Sequence, residues 1–235
     1  SFERNEVKSA LPQVRVFDVV ELPELLSKTE FDIPITIASK NRRLSYLNEV
    51  NRKNITASWE GDYDTFLKSC KLEMRIFTLQ SDIERERCLE LIQRSNQYNI
   101  SVQRQTEKSF NDMLTSELYK CFGMSLSDEY GDYGIIGFAS FKHEGNRIQL
   151  QDFVMSCRVA QKKVERAFFN HILNQREIGL EFYIKVQKTE RNKPLQDEFK
   201  KMPLNITLEN KETISFEYIK KDSSLFINES IIKII

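Results

Sequence analysis

The stretch Gly134-Ile135-Ile136-Gly137-Phe138-Ala139-Ser140-Phe141-Lys142-His143 is followed by Glu144-Gly145-Asn146. Arg147-Ile148-Gln149-Leu150-Gln151-Asp152-Phe153-Val154-Met155-Ser156-Cys157 comes next. Two runs rich in β-branched and aromatic residues around a short Gly-containing turn read as a β-hairpin. Directly after it, Val164, Phe168 and Ile172 recur at helical spacing with Ala167 and His171 beside them. Residues 161–176 therefore read as an amphipathic helix, stopped by Gly179. Working outward toward the N-terminus, 118–126 reads as a third strand, and Thr106 opens a helix anchored by Phe110 and Leu114. Ser81-Asp82-Ile83-Glu84 opens another helix with capping-box character, its buried stripe being Cys88, Leu91 and Ile92. Met74, Ile76 and Thr78 alternate with Arg75 and Phe77 as in a strand. Toward the C-terminus, 182–186 reads as a strand, 194–202 as a short helix and 214–218 as a closing strand.

The first seventy residues are less regular. Leu22-Pro23-Glu24-Leu25-Leu26 reads as a Pro-started helical turn, and Leu44, Leu47 and Val50 mark an exposed amphipathic helix between about Pro34 and Asn54. Asp62 is placed to cap a helix through Phe66 and Leu67. The expected division is an N-terminal segment 1–32, a helical connector 33–70 and a main domain 71–235. Lys plus Arg equals Asp plus Glu, 35 each, so no global field draws nucleic acid or acidic lipid. Cys70, Cys88, Cys121 and Cys157 are widely spaced and there are only two histidines, so neither a metal site nor a disulfide framework is expected. No apolar run has the length of a membrane helix. Free thiols and the lack of a signal-like leader make a cytoplasmic protein the expectation.

The order strand, two helices, three antiparallel strands, helix, strand, helix, strand matches the GNAT acyltransferase fold. That is an α/β fold with a mixed, mainly antiparallel sheet flanked by helices, here preceded by the helical connector. In that fold a pantetheine arm lies along the fourth strand, and its phosphates meet backbone amides at the start of the next helix. The loop there generally reads Arg/Gln-x-x-Gly-x-Gly/Ala, because glycines let phosphate oxygens approach the amides. In this chain it is Arg158-Val159-Ala160-Gln161-Lys162-Lys163, with the Arg present and both glycines replaced. Arg158, Gln161, Lys162 and Lys163 are therefore the candidates for the phosphopantetheine of a carrier protein or for coenzyme A. No covalently bound cofactor is expected. A solvated helix start is the alternative reading of the two lysines. Cys157 stands at the strand end, where a helix start and nearby cations favour a nucleophilic thiol; a small buried residue is the plainer alternative. Phe199 falls where such folds often place a Tyr as general acid, and Phe has no proton to give.

Four segments resemble the FkbH-like proteins, which join a haloacid-dehalogenase (HAD) type domain to a GNAT-like domain. They are Phe2-Glu3-Arg4-Asn5-Glu6-Val7, Ser95-Asn96-Gln97-Tyr98-Asn99, Tyr130-Gly131-Asp132-Tyr133-Gly134-Ile135-Ile136-Gly137 and Met155-Ser156-Cys157-Arg158-Val159. The resemblance implies that 1–32 is the edge of a preceding HAD-like domain on the same parent chain, whose catalytic aspartates are not in this sequence. It also implies transfer of an acyl group, with glyceryl as the candidate, to an acyl carrier protein thioester. By the same resemblance Asn96 and Asn99 join Cys157 as catalytic candidates. Gln97, Arg104 and Asn192 are substrate-binding candidates. Gly137 hints at close approach of a thioester arm. Two other readings stay open. One is a non-catalytic module that docks a carrier or a neighbouring chain. The other is an acetyl-CoA-dependent N-acetyltransferase, with Glu165 or Asp152 as nominal bases.

Overall fold

The computed structural model of the chain describes residues 2–25, 27–31, 42–101, 104–175, 178–222, 226 and 231–235. The chain divides into two compact units, Ser1–Arg42 and Arg43–Ile235. In the first, α1 (Phe2–Ala10) and α2 (Leu22–Leu25) bury none of their residues. Asp18 closes a capping box with Glu21 over the 3-10 turn Val19–Glu21, and it pairs with Arg4. Residues 32–41, which hold the start of the expected connector, lie outside the described residues.

The second unit holds α3 (Arg42–Ala57) from its second residue onward and α4 (Tyr63–Ser69), the latter capped by Asp62 through Thr65 N–H at 2.9 Å. Leu44, Leu47 and Val50 face solvent, while Phe66 and Leu67 enter the same core as the sheet. The strands are β1 (Glu73–Phe77), β2 (Tyr119–Asp128), β3 (Gly131–Glu144), β4 (Arg147–Met155), β5 (Glu181–Gln187), β6 (Asn205–Glu209), β7 (Thr213–Ile219) and β8 (Lys233–Ile234). They form one sheet in the order β6-β7-β5-β4-β3-β2-β1-β8. The β4–β5 and β1–β8 pairs are parallel and the others antiparallel.

The period-2 alternation of side chains sorts the sheet into two faces. Phe138 and Val154, paired across β3 and β4, pack on α5 (Asp82–Arg94) and α6 (Glu107–Thr115) through Cys88, Leu91, Ile92, Phe110 and Met113. Their neighbours Phe141 and Phe153 point the other way, toward α7 (Val164–Asn174) and α8 (Lys193–Lys200). There Phe168, Phe169, Phe182, Phe199 and Phe216 build an aromatic core with ring centroids 5–6 Å apart.

The expected elements recur with shifted ends. β4 stops at Met155 because the Ser156 hydroxyl caps a 3-10 turn at Cys157–Val159. The following helix starts at Val164 rather than 161, since Gln161 and Lys163 take left-handed φ of 66° and 60°. β6 is an edge strand whose sequence alternates polar and apolar residues although every one of them is exposed. Among the described residues no helix is long and apolar enough to cross a membrane.

Candidate functional site

β4 and β5 pair only from Arg147–Leu150 against Glu181–Ile184. Beyond that register the chain itself enters the space between the two strands. Met155 N–H donates to the Tyr98 carbonyl at 2.8 Å, Ile100 N–H donates to the Phe153 carbonyl at 3.2 Å, and Gln187 N–H donates to the Ile100 carbonyl at 2.9 Å. Asn99 thus sits opposite Val154 in an antiparallel bridge. Asn192, fully buried, holds the segment from the β5 side: its Nδ2 donates to the carbonyls of Asn99 at 3.0 Å and Gln187 at 2.8 Å. Its Oδ1 accepts from Thr189 N–H at 2.9 Å and Gln196 Nε2 at 2.7 Å. The Ser101 hydroxyl donates to Asp152 Oδ1 at 3.2 Å, while Ser140 donates to Oδ2 at 3.1 Å. Burial raises the Asp152 carboxyl above its usual range against these hydrogen bonds. Gly137, read as a point of close approach, does lie close to a backbone: a Cβ there would meet Val154 O at 3.0 Å and Met124 Cε at 2.8 Å. Its neighbour is the sheet itself.

The loop after β4 has the shape of the phosphate loop without its openness. The positive φ values fall on Gln161 and Lys163, the two positions where the pattern has glycine. Four of its amides are already engaged. Arg158 N–H donates to Ser156 Oγ at 3.4 Å, Val159 N–H to the Ser156 carbonyl at 3.1 Å and Ala160 N–H to the Cys157 carbonyl at 3.2 Å. Lys162 N–H donates to the Val159 carbonyl at 3.2 Å. Burial pushes the Tyr98 hydroxyl up to about 12, with Glu165 and Glu198 adding to the shift. Coenzyme A or a pantetheine arm, which the fold family implies, does not fit along β4 as the chain folds. On the strand edge the Phe153 carbonyl and the Met155 N–H have partners, as do four of the loop amides, while the start of α7 carries no side-chain cap.

The exposed side of the loop is different. Cys157, the exposed cysteine, lines a cleft of about 490 Å³ with Arg158, Gln161 and Lys162. The opposite wall comes from α3 and α4, through Glu49, Arg52, Lys53, Tyr63 and Phe66. Cys70 and Cys88 are buried, and burial lifts the Cys88 and Cys121 thiols to about 12. Arg52 anchors the cleft wall. Its Nε and Nη2 grip Asp128 at 2.7 and 2.8 Å, Nη2 also reaches the Gly131 carbonyl at 3.1 Å, and its guanidinium lies 3.8 Å from the centre of the Tyr133 ring. Tyr133 donates its hydroxyl to Asp128 at 2.7 Å, and Lys162 stands over the same ring at 5.6 Å. Lys163 is turned away to Asp64, 2.6 Å from its carboxylate.

The structure therefore gathers Cys157, Arg158, Gln161 and Lys162 on one cleft, and separately gathers Asn99 and Asn192 in the gap between β4 and β5. Asn96 accepts from Arg104 Nη2 at 2.6 Å at an exposed position, and Gln97 faces solvent. Phe199 is fully buried against Phe153, Phe169 and Phe216, in no position to address a ligand. Arg52 and Tyr98 escaped the sequence reading. Arg52 sits on a helix whose apolar stripe is exposed, and Tyr98 carried only the weight of the motif around it. Tyr133 was within the Tyr130–Gly137 segment, which entered only as one of the four blocks of the family resemblance.

No protein-family model matches the sequence, and neither does any curated protein. Among solved structures, a domain from Methanocaldococcus jannaschii aligns with 63% of this chain and 99% of its own, at 12% identity and a TM-score of 0.51. The ribosomal-protein-S18-alanine N-acetyltransferase of Escherichia coli aligns with 64% of this chain and 96% of its own, at 13% identity and a TM-score of 0.48. The paia N-acetyltransferase of Thermoplasma acidophilum, solved in complex with coenzyme A, aligns with 63% and 99% at 14% identity and a TM-score of 0.43. At such identities the likeness is one of fold. The element order and the parallel β4–β5 pair, with the likeness to the Methanocaldococcus jannaschii domain, make this an α/β domain with a GNAT-like fold.

Proposed function

We propose that the chain is an acyl-transfer module in which Cys157 carries the acyl group as a thioester and passes it to the thiol of an acyl carrier protein. The observation that carries this reading is the placement of the exposed cysteine on a cleft whose lining holds Arg52, Lys53, Arg158 and Lys162 against one Glu49. Arg52 is matched by Asp128, and Lys53 and Lys162 add positive charge to the same lining. That environment suits an anionic acyl donor or the phosphate of a carrier's arm. In the first step Cys157 Sγ bonds to the acyl carbonyl carbon as the donor's C–O or C–S bond breaks. In the second, the carrier's thiolate bonds to that carbon and Cys157 leaves as a thiolate. The resemblance to FkbH-like proteins supports a glyceryl unit, supplied by a HAD-like domain on the parent chain.

Running the second step backward tests the reading without that domain. The chain is incubated with a glyceryl-loaded carrier protein and followed by intact-mass spectrometry. A glyceryl adduct is expected on the wild type and not on Cys157→Ala, with Lys162→Glu slowing its appearance several-fold. A wild type that stays unmodified would remove the covalent role. It would leave a second reading, a docking module without chemistry of its own. The burial of Phe199, where a proton donor is commonly placed, is what favours that alternative.

A further inference from the structure

The fold offers pantetheine one edge of β4, and in this chain that edge has a resident. We infer that Tyr98–Ile100 is a built-in occupant of the pantetheine seat and that the domain excludes coenzyme A from its sheet.

The case rests on backbone groups rather than on missing motif residues. Past Leu150, the Phe153 carbonyl and the Met155 N–H of β4 both bond to the 98–100 segment. On the far side the Gln187 N–H bonds to the Ile100 carbonyl, so the segment bridges both strands where they no longer pair. It is latched twice more, by Asn192 on the Asn99 carbonyl and by Ser101 on Asp152. Tyr98, Asn99 and Ile100 are all buried. Entry of a pantetheine arm would have to break these bonds together, take from Asn192 its bond to the Asn99 carbonyl and expel three buried residues, an outcome disfavoured in a buried site. The acyl donor must therefore reach Cys157 from the cleft formed with α3 and α4, not along β4. This inference stands on the strand gap alone and does not require that Cys157 be acylated.

Amide hydrogen exchange at residue resolution on the full chain, with a parallel calorimetric titration of coenzyme A, tests it. Ile100, Met155 and Gln187 amides are expected to exchange as slowly as Phe141 in the centre of the sheet, unchanged by millimolar coenzyme A, with no saturable heat. Exchange at those three sites as fast as in exposed loops would overturn the inference. So would saturable coenzyme A binding that alters their protection. In Asn192→Ala, exchange at Ile100 and Gln187 is expected to quicken roughly tenfold relative to Phe141; equal quickening everywhere would mean that Asn192 does not latch the segment. Should that variant fail to fold, the wild-type measurements still decide. Coenzyme A binding would sink this inference and leave the Cys157 adduct untouched, whereas a missing adduct would sink only the acyl-relay proposal.

Discussion

Gln161 and Lys163 hold a backbone conformation that costs an L side chain ~1–2 kcal/mol relative to the right-handed region. Lys163 offsets part of that cost through its ion pair with Asp64, whereas the Gln161 side chain is exposed. Gln161→Gly is therefore expected to be neutral or to stabilise by up to ~1 kcal/mol. Gln161→Val, with a β-branched side chain forced to positive φ, should lose about 1 kcal/mol or more; urea denaturation of the pair measures both. Glu165 is the other residue under tension. It is 1% exposed, its Oε2 has no hydrogen-bond partner, and burial lifts its carboxyl to about 7. Because the folded pKa lies above the unfolded value of 4.5, its favourable contribution is full below pH 4.5. It falls as pH rises, and is lost once the folded carboxyl ionises above about 7. Relative to Glu165→Gln, the wild type should lose up to ~3 kcal/mol between pH 4 and 8. An unchanging difference across that range would show that the carboxyl is not held neutral.

At the scale of elements, the joint between α3 and the β2–β3 turn depends on one buried ion pair. The Arg52 and Asp128 side chains are 5% and 1% exposed, and Asp128 also accepts from Tyr133 and from Tyr130 N–H. Arg52→Ala should cost ~3–5 kcal/mol, since it strands a buried carboxylate. The double variant Arg52→Met, Asp128→Asn should cost clearly less, and denaturant midpoints of the two compare them. The reverse order would argue that the guanidinium's stacking on Tyr133 matters more than its charge. This joint was not legible in the sequence, where an Arg on a largely polar helix reads as solvated. What was legible follows from periodicity. Phe138 and Val154 against Phe141 and Phe153 announce a two-faced sheet, and Val164, Phe168 and Ile172 announce the helix above it. Tyr98–Ile100 had no such signature. A three-residue insertion is too short to show a period, and its identity as a strand comes wholly from partners more than fifty residues away. The site shared this fate: Cys157 could be singled out from its place before the helix, but the cleft that gives it charged company needs α3 and α4 folded against the loop.

Across the whole sheet, the two edges are managed differently. β6 ends one side with every residue exposed, Ile206 and Leu208 about half so, and its pairing with β7 is broken by a register shift between Ile206 and Leu208 that roughens the edge. The other edge would be β1, a straight five-residue strand, were it not covered by β8. Lys233 N–H donates to the Leu72 carbonyl at 2.9 Å, Ile235 N–H donates to the Met74 carbonyl at 3.0 Å, and the Lys233 ammonium pairs with Glu73 at 2.8 Å. Ile232 is buried beneath this strap. Removing residues 231–235 would uncover Ile232's seat in the core and leave β1 with unpaired carbonyls. The first effect should cost about 2–3 kcal/mol in thermal or urea denaturation. The second should make the shortened chain self-associate in a concentration-dependent way by light scattering, as uncovered edges do. A shortened chain that is less stable yet strictly monomeric would mean that Ile232 matters as a core residue only, and that β1 resists pairing without its cover. A chain of unchanged stability would mean that β8 contributes nothing to holding the sheet closed.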